Sequence, residues 1–144
     1  MWALIPINDF TESLSRLSDY LDRDQRREIT QILATQVFQA LYPIESIEKI
    51  VVLSNEIEWL ESFENPKITI LKDPEVKQLK EKIAHAVNWI QNQGVESVLY
   101  LSVDLPFVQD KDVANFIAQH QGGLSIIKAR KDSGTNALIL DLPT

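Results

Sequence analysis

The stretch that most constrains this chain runs from Val95 to Val108, VESVLYLSVDLPFV. Val98, Leu99, Tyr100, Leu101 and Val103 form a short apolar run, the pattern of a strand buried on both faces of a parallel sheet. The run stops at Asp104-Leu105-Pro106. Proline has no N–H to give to a sheet ladder, so the strand ends there. Open α/β sheets bind ligands beyond the carboxyl ends of their strands. Asp104 is therefore the first candidate for a functional side chain. A turn or capping aspartate fits the same local pattern, and the stretch alone does not separate the two.

Around this strand the chain alternates strand and helix patterns. Trp2 to Ile7 reads as a first buried strand, broken by Pro6. Leu14, Leu17 and Leu21 lie at helical spacing and predict a short helix from about Thr11. Asp24 predicts the N-cap of a second helix whose apolar stripe is Ile29, Leu33, Val37, Ala40 and Leu41, ended by Pro43. Its Arg26, Arg27 and Glu28 read as a solvated face. Ile47 to Leu53 predicts a second strand, Asn55 to Phe63 a short helix with Trp59 turned inward, and Ile68 to Leu71 a third strand. Asp73-Pro74 reads as a cap and first turn, opening a helix through Val76, Leu79, Ile83, Val87 and Ile90 to a Gly94 C-cap. Past the central strand, Asp110 predicts the cap of a helix carrying Val113, Phe116 and Ile117, stopped by Gly122-Gly123. Leu124 to Ala129 and Ala137 to Leu140 are the last two strands. Strands alternating with helices give an α/β fold, three-layer αβα, with a mostly parallel, Rossmann-like sheet.

The 144 residues suit one domain spanning 1–144. With no cysteine there is neither a disulfide framework nor a thiolate metal site. His85 and His120 are too few and too scattered to suggest zinc. The net charge of −7 argues against non-specific nucleic-acid binding. A nucleoside triphosphate is anionic too, so a site for one needs a magnesium ion (Mg2+) and local cations. No apolar run approaches a membrane span and the N-terminus lacks the basic segment of a signal peptide. The expectation is a cytoplasmic protein with no membrane partner.

Three places face the predicted crevice: the loop from Pro6 to Arg16, Asp104, and the loop KDSGTNAL from Lys131 to Leu138. Gly134 permits backbone conformations closed to other residues, and successive N–H groups at Gly134, Thr135 and Asn136 can form an anion nest. A tight turn between strands uses the same residues.

Four segments, ALIPI, LSRLSDYLDRDQRREI, VLYLSVDLPFV and SGTNALIL, resemble in order and spacing the 2-phospho-L-lactate guanylyltransferase family, whose bacterial members use phosphoenolpyruvate. The resemblance covers nearly the whole chain, and it implies the nucleotidyltransferase fold and a role in making coenzyme F-420. It implies GTP and a small phosphorylated carboxylic acid as partners and Mg2+ as cofactor. A homodimer is a further expectation, one that the sequence does not fix. Asp104 would be a metal ligand and would act in catalysis with Arg16. Pro6, Asn8, Ser15, Gly134, Thr135 and Asn136 would hold nucleotide or acceptor phosphate.

The departures are equally specific. Family members usually have lysine where this chain has Asn8 and Leu14, and an asparagine where it has Lys80. Each lost charge-assisted contact to a buried phosphate costs about 1.5–3 kcal/mol. Asp9 and Glu12 are acidic where the family has basic or neutral residues. The family also continues past the Gly-Thr-Asn-Ala-Leu strand, with further carboxylates that help bind metal. Asp141 is the one nearby substitute for them. These departures raise an alternative: a catalytically degenerate or truncated relative that acts as a nucleotide- or partner-binding domain.

Overall fold

The structure, a computed structural model, describes residues 1–129 and 134–143. Six strands form one sheet: β1 (Trp2–Pro6), β2 (Lys49–Ser54), β3 (Ile68–Lys72), β4 (Ser97–Leu101), β5 (Leu124–Lys128) and β6 (Thr135–Asp141). Their spatial order is β3-β2-β1-β4-β6-β5. The pairings β1–β2, β1–β4 and β2–β3 are parallel, while β6 runs antiparallel to both β4 and β5. The mostly parallel sheet expected from the alternation is present. The last strand turns back and inserts between its two predecessors.

The helices are α1 (Arg23–Leu41), α2 (Ile57–Glu61), α3 (Leu79–Asn92) and α4 (Asp110–Gln119). Helix α3 covers one face of the sheet, packing Ala86 and Ile90 on Leu4, Val51, Leu53 and Val98. Helices α1, α2 and α4 cover the other, with Val37, Phe38, Leu60 and Val113 against Ala3, Ile5, Ile50, Val52 and Leu99. That is the three-layer αβα arrangement. Burial on both faces explains why Ala3, Leu4 and Ile5 are all fully buried rather than alternating in and out. Trp59 packs inward as expected, edge-on to Phe10 at 5.3 Å and to Phe63 at 4.9 Å. Among the described residues no helix is long and apolar enough to cross a membrane.

Several element boundaries differ from the sequence reading, each for a local reason. No α-helix forms from Thr11. Leu14 adopts the left-handed region, φ 53°, and only a 3-10 turn at Ser15–Leu17 follows. Helix α1 is capped by Asp22, not Asp24. The Gln25 N–H donates to Asp22 Oδ1 at 2.8 Å and the Asp22 N–H donates to Gln25 Oε1 at 3.0 Å, a reciprocal capping box. Helix α4 uses the same device one residue earlier than expected, the Gln109 N–H donating to Asp112 Oδ2 at 3.0 Å. Helix α3 begins at Leu79 rather than at Asp73-Pro74. Asp73 is buried and already engaged: Oδ1 accepts the Glu75 N–H, and Oδ2 lies 2.7 Å from Lys82 Nζ. Its carboxylate ties the β3–α3 connection to the helix instead of capping it. Gly94, at φ 83°, follows the end of α3 as a left-handed residue.

Candidate functional site

The parallel strands β1 and β4 end on the same edge of the sheet, and a cleft of about 580 Å3 opens there. One wall is the loop after β1, from Pro6 to Leu17. Another is the end of β4 with its continuation, contributing Tyr100, Ser102, Val103 and Asp104. Leu79, the first residue of α3, and Thr30 of α1 complete it.

The loop is held from behind. The Phe10 N–H donates to Glu56 Oε1 at 2.9 Å, and the Glu56 N–H donates in turn to Ser54 Oγ at 3.1 Å. The N–H groups of Glu12 and Ser13 both donate to the Asp9 carbonyl, at 2.9 and 3.0 Å. Arg26 reaches from α1 to donate from Nη1 to the Ser13 carbonyl at 3.3 Å. The Arg27 guanidinium lies 5.7 Å above the Phe10 ring. These ties leave Leu14 as the pivot at which the chain reverses into the Ser15–Leu17 turn.

Of the residues singled out in the sequence, Pro6, Asn8, Ser15, Arg16 and Asp104 all line this one cleft. Asp104 is solvent-exposed, and its backbone N–H donates to Ser102 Oγ at 3.2 Å. Its carboxylate has no hydrogen bond or ion pair among the described residues. The Gly134–Asn136 segment sits next door rather than in the cleft wall. Asn136 lines a neighbouring, more apolar cavity of about 630 Å3 with Leu101, Leu105 and Pro106. Its carbonyl accepts the Ser102 N–H at 2.9 Å, the Gly134 carbonyl accepts the Ala129 N–H at 2.9 Å, and Thr135 pairs with Lys128. Lys131 to Ser133 of the expected loop lie outside the described residues.

Asp141 does not substitute as a metal ligand. It pairs with Ser97 at the start of β4, on the opposite edge of the sheet from Asp104. Both its oxygens are taken: Oδ1 by His120 Nε2 at 2.9 Å and Oδ2 by the Gly123 N–H at 2.8 Å. The His120 hydrogen bond, and after it the Gly123 N–H, hold its carboxyl below the usual carboxylate range. His120 Nδ1 is also 2.7 Å from Ser125 Oγ, so one imidazole bolts the end of α4 to β5 and β6.

Among the described residues no group of three or more His, Cys, Asp or Glu side chains is placed to hold a metal ion. Magnesium does not need one. It takes one or two carboxylates and completes its shell with water and phosphate oxygens. The unpartnered Asp104 carboxylate fits that demand, and Glu12 is a second carboxylate on the cleft wall.

Tyr100, Ser102 and Leu79 were not singled out from the sequence, although they line the cleft. The signal for the first two was available. Side chains two apart share a face of a strand, so counting back from Asp104 gives Ser102 and Tyr100. The phenol of Tyr100 is pushed up from its ordinary value by burial and then by the nearby charge of Asp104. Nothing in the local pattern pointed to Arg26 or Glu56 as the loop's supports.

A family model described as "Guanylyl transferase CofC like" matches residues 1–143. The chain is 27% identical over 151 residues to the 2-phospho-L-lactate guanylyltransferase of Methanobrevibacter ruminantium, covering 97% of this chain and 63% of that protein. It is 26% identical over 142 residues to the phosphoenolpyruvate guanylyltransferase of Sphaerobacter thermophilus, covering 98% of this chain and 68% of that one. In fold it is similar to a Desulfovibrio desulfuricans G20 protein described as a nucleotide-diphospho-sugar transferase, with a TM-score of 0.79 at 15% identity, over 96% of this chain and 62% of the other. The chain thus spans about two thirds of the length of the curated relatives it matches.

Proposed function

The chain belongs to the family of CofC-like guanylyl transferases, and from that premise we propose that it transfers GMP from GTP to 2-phospho-L-lactate or phosphoenolpyruvate. An acceptor phosphate oxygen attacks the α-phosphorus of GTP. The bond from that phosphorus to the bridging oxygen breaks, and pyrophosphate leaves. Such a reaction asks the protein to position two anions and to offset the charge that develops between them.

The observation that carries the reading is the convergence of Arg16 and Asp104, from loops almost ninety residues apart, on one cleft at the carboxyl edge of the sheet. The left-handed Leu14 followed by the Ser15–Leu17 turn aims successive N–H groups to one side, the geometry of an anion nest. Neither the Leu14 nor the Ser15 N–H has a backbone acceptor among the described residues. Arg16 adds a planar fork matched to phosphate oxygens. In this reading the turn and Arg16 hold the triphosphate, with Pro6 and Asn8 bordering it. Asp104 would hold Mg2+, with Glu12 a second carboxylate on the cleft wall. When bound, the ion supplies Lewis-acid polarisation of the phosphoryl oxygens and offsets the charge of the departing pyrophosphate. Asn136, hydrogen-bonded to the Ser102 backbone, would border the acceptor side. A cytoplasmic location and a homodimer complete the reading, the latter checked by light scattering.

Calorimetric titration with Mg-GTP, followed by pyrophosphate release with each acceptor, tests the proposal. Saturable binding and acceptor-dependent release are expected. A folded protein that fails to bind at millimolar Mg-GTP refutes it. A second reading rests on Asn8 and Leu14, which bring no cation to the loop: a binding domain without turnover. Binding without pyrophosphate release favours that reading. Replacing Asn8 and Leu14 with lysine in one variant is expected to tighten Mg-GTP binding about tenfold or more, as charge-assisted hydrogen bonds to phosphate do.

A further inference from the structure

Tyr100 lines the cleft where β4 gives way to the Asp104 loop. Its register partners are Leu4 on β1 and Leu138 on β6. Leu4 belongs to the face packed by α3, so the phenol rises on the side of the sheet where Leu79 opens that helix. Tyr100, Ser102 and Asp104, each two residues on, all line the same cleft. Tyr100 is partly buried, flanked along β4 by Val98, Leu99 and Leu101. Yet no group among the described residues hydrogen-bonds its hydroxyl. The hydroxyl is not sealed from solvent, since the only buried side-chain polar atoms without a partner among the described residues are Arg26 Nε and Asn55 Oδ1. The cleft that Tyr100 lines is therefore open to an accessible donor with no protein partner.

We infer that the Tyr100 hydroxyl is a substrate-binding group that donates a hydrogen bond to a phosphate oxygen of the bound nucleotide. This rests on the guanylyl-transfer reading of the cleft. The chemistry suits the surroundings. Asp104 and Glu12 already bring acidic groups to the cleft lining. A neutral donor adds a hydrogen bond to an anion without forming an ion pair with either carboxylate. Its rigid ring also costs little side-chain entropy to hold in place, unlike a lysine. Tyr100 and Arg16 line the same cleft, one from β4 and the other from the loop after β1.

The test compares wild type with Tyr100→Phe, which keeps the ring and removes one oxygen. Both are titrated with Mg-GTP and, separately, with Mg2+ and tripolyphosphate. Thermal melting controls for folding, and Tyr100→Phe should melt within a degree or two of wild type because no protein hydrogen bond is lost. The expected result is a roughly tenfold weaker affinity of Tyr100→Phe for both ligands, the loss of one hydrogen bond to a charged oxygen. Equal affinities of the two proteins for tripolyphosphate overturn the inference, whatever the outcome with GTP. A wild type that binds tripolyphosphate but not Mg-GTP overturns the guanylyl reading while leaving the role of the phenol decidable. A wild type that binds neither overturns both.

Discussion

Leu14 carries the least comfortable backbone in the cleft. Its φ of 53° and ψ of 37° place an L-leucine in the left-handed region, which costs about 1–2 kcal/mol relative to the right-handed form. Strain of this kind persists only where the surroundings impose it. Here the Ser13 carbonyl is held by Arg26 and the Asp9 carbonyl by two N–H groups. Leu14→Asn, a residue that tolerates this conformation, should raise stability by about 0.5–1 kcal/mol in chemical denaturation. Asp104 behaves oppositely. It is exposed and its carboxylate has no protein partner, so Asp104→Asn should leave the midpoint unchanged to within about 0.5 kcal/mol. Under the proposed guanylyl transfer, the same substitution should remove the magnesium dependence of GTP binding. A variant that unfolds instead would show the carboxylate to be structural. The place of Asp104 at the end of the central strand was legible in the sequence from the proline-stopped apolar run, but that run did not tell a ligand-facing carboxylate from a turn aspartate. Arg16 was legible only through family resemblance. Tyr100 hid inside the apolar run, where it read as one more core residue.

At the scale of elements, side chains that looked like caps were committed elsewhere. Asp73 precedes a proline and reads as a helix start, yet its carboxylate is bonded to Lys82 nine residues on. Asp24 and Asp110 were plausible caps, but a glutamine or aspartate three residues past Asp22 and Gln109 made the reciprocal bonds that decide the matter. Sequence reasoning found these helices and missed their first residues, because a cap is settled by which of several acceptors wins. Asp22→Ala should lower stability by about 1 kcal/mol, seen as a fall of about 2–4 °C in melting temperature for a chain of this size. The His120–Asp141 bolt makes a pH-dependent contribution of known sign. The Asp141 carboxyl is held below its unfolded value. Its stabilisation is therefore complete above the unfolded pKa and fades as pH falls through the lower folded one. Wild type should exceed Asp141→Asn in stability at pH 6, and the gap should close below about pH 4, near the unfolded carboxyl value. A gap that stays constant down to pH 2 would show that the ionised carboxylate contributes nothing there.

For the whole molecule, the alternation of strands and helices was enough to give the layers and the direction of most strands. It was not enough to give their order. Periodicity reports which faces of an element are buried, not which neighbour lies beside it, so the placement of β6 between β4 and β5 had no local signature. That placement governs how the central strand is held. The middle strand, whose end presents Asp104, has β1 on one side and β6 on the other. Its outer ladder, from Ser97 opposite Asp141 to Leu101 opposite Ala137, is supplied wholly by β6. A nascent chain emerging from the ribosome can therefore dock β1, β2 and β3 early, but it must wait for the residues after 134 before β4 has both neighbours. The order of synthesis then leaves β4 half-paired until the last strand arrives, while the first loop already has its supports in Ser54 and Glu56.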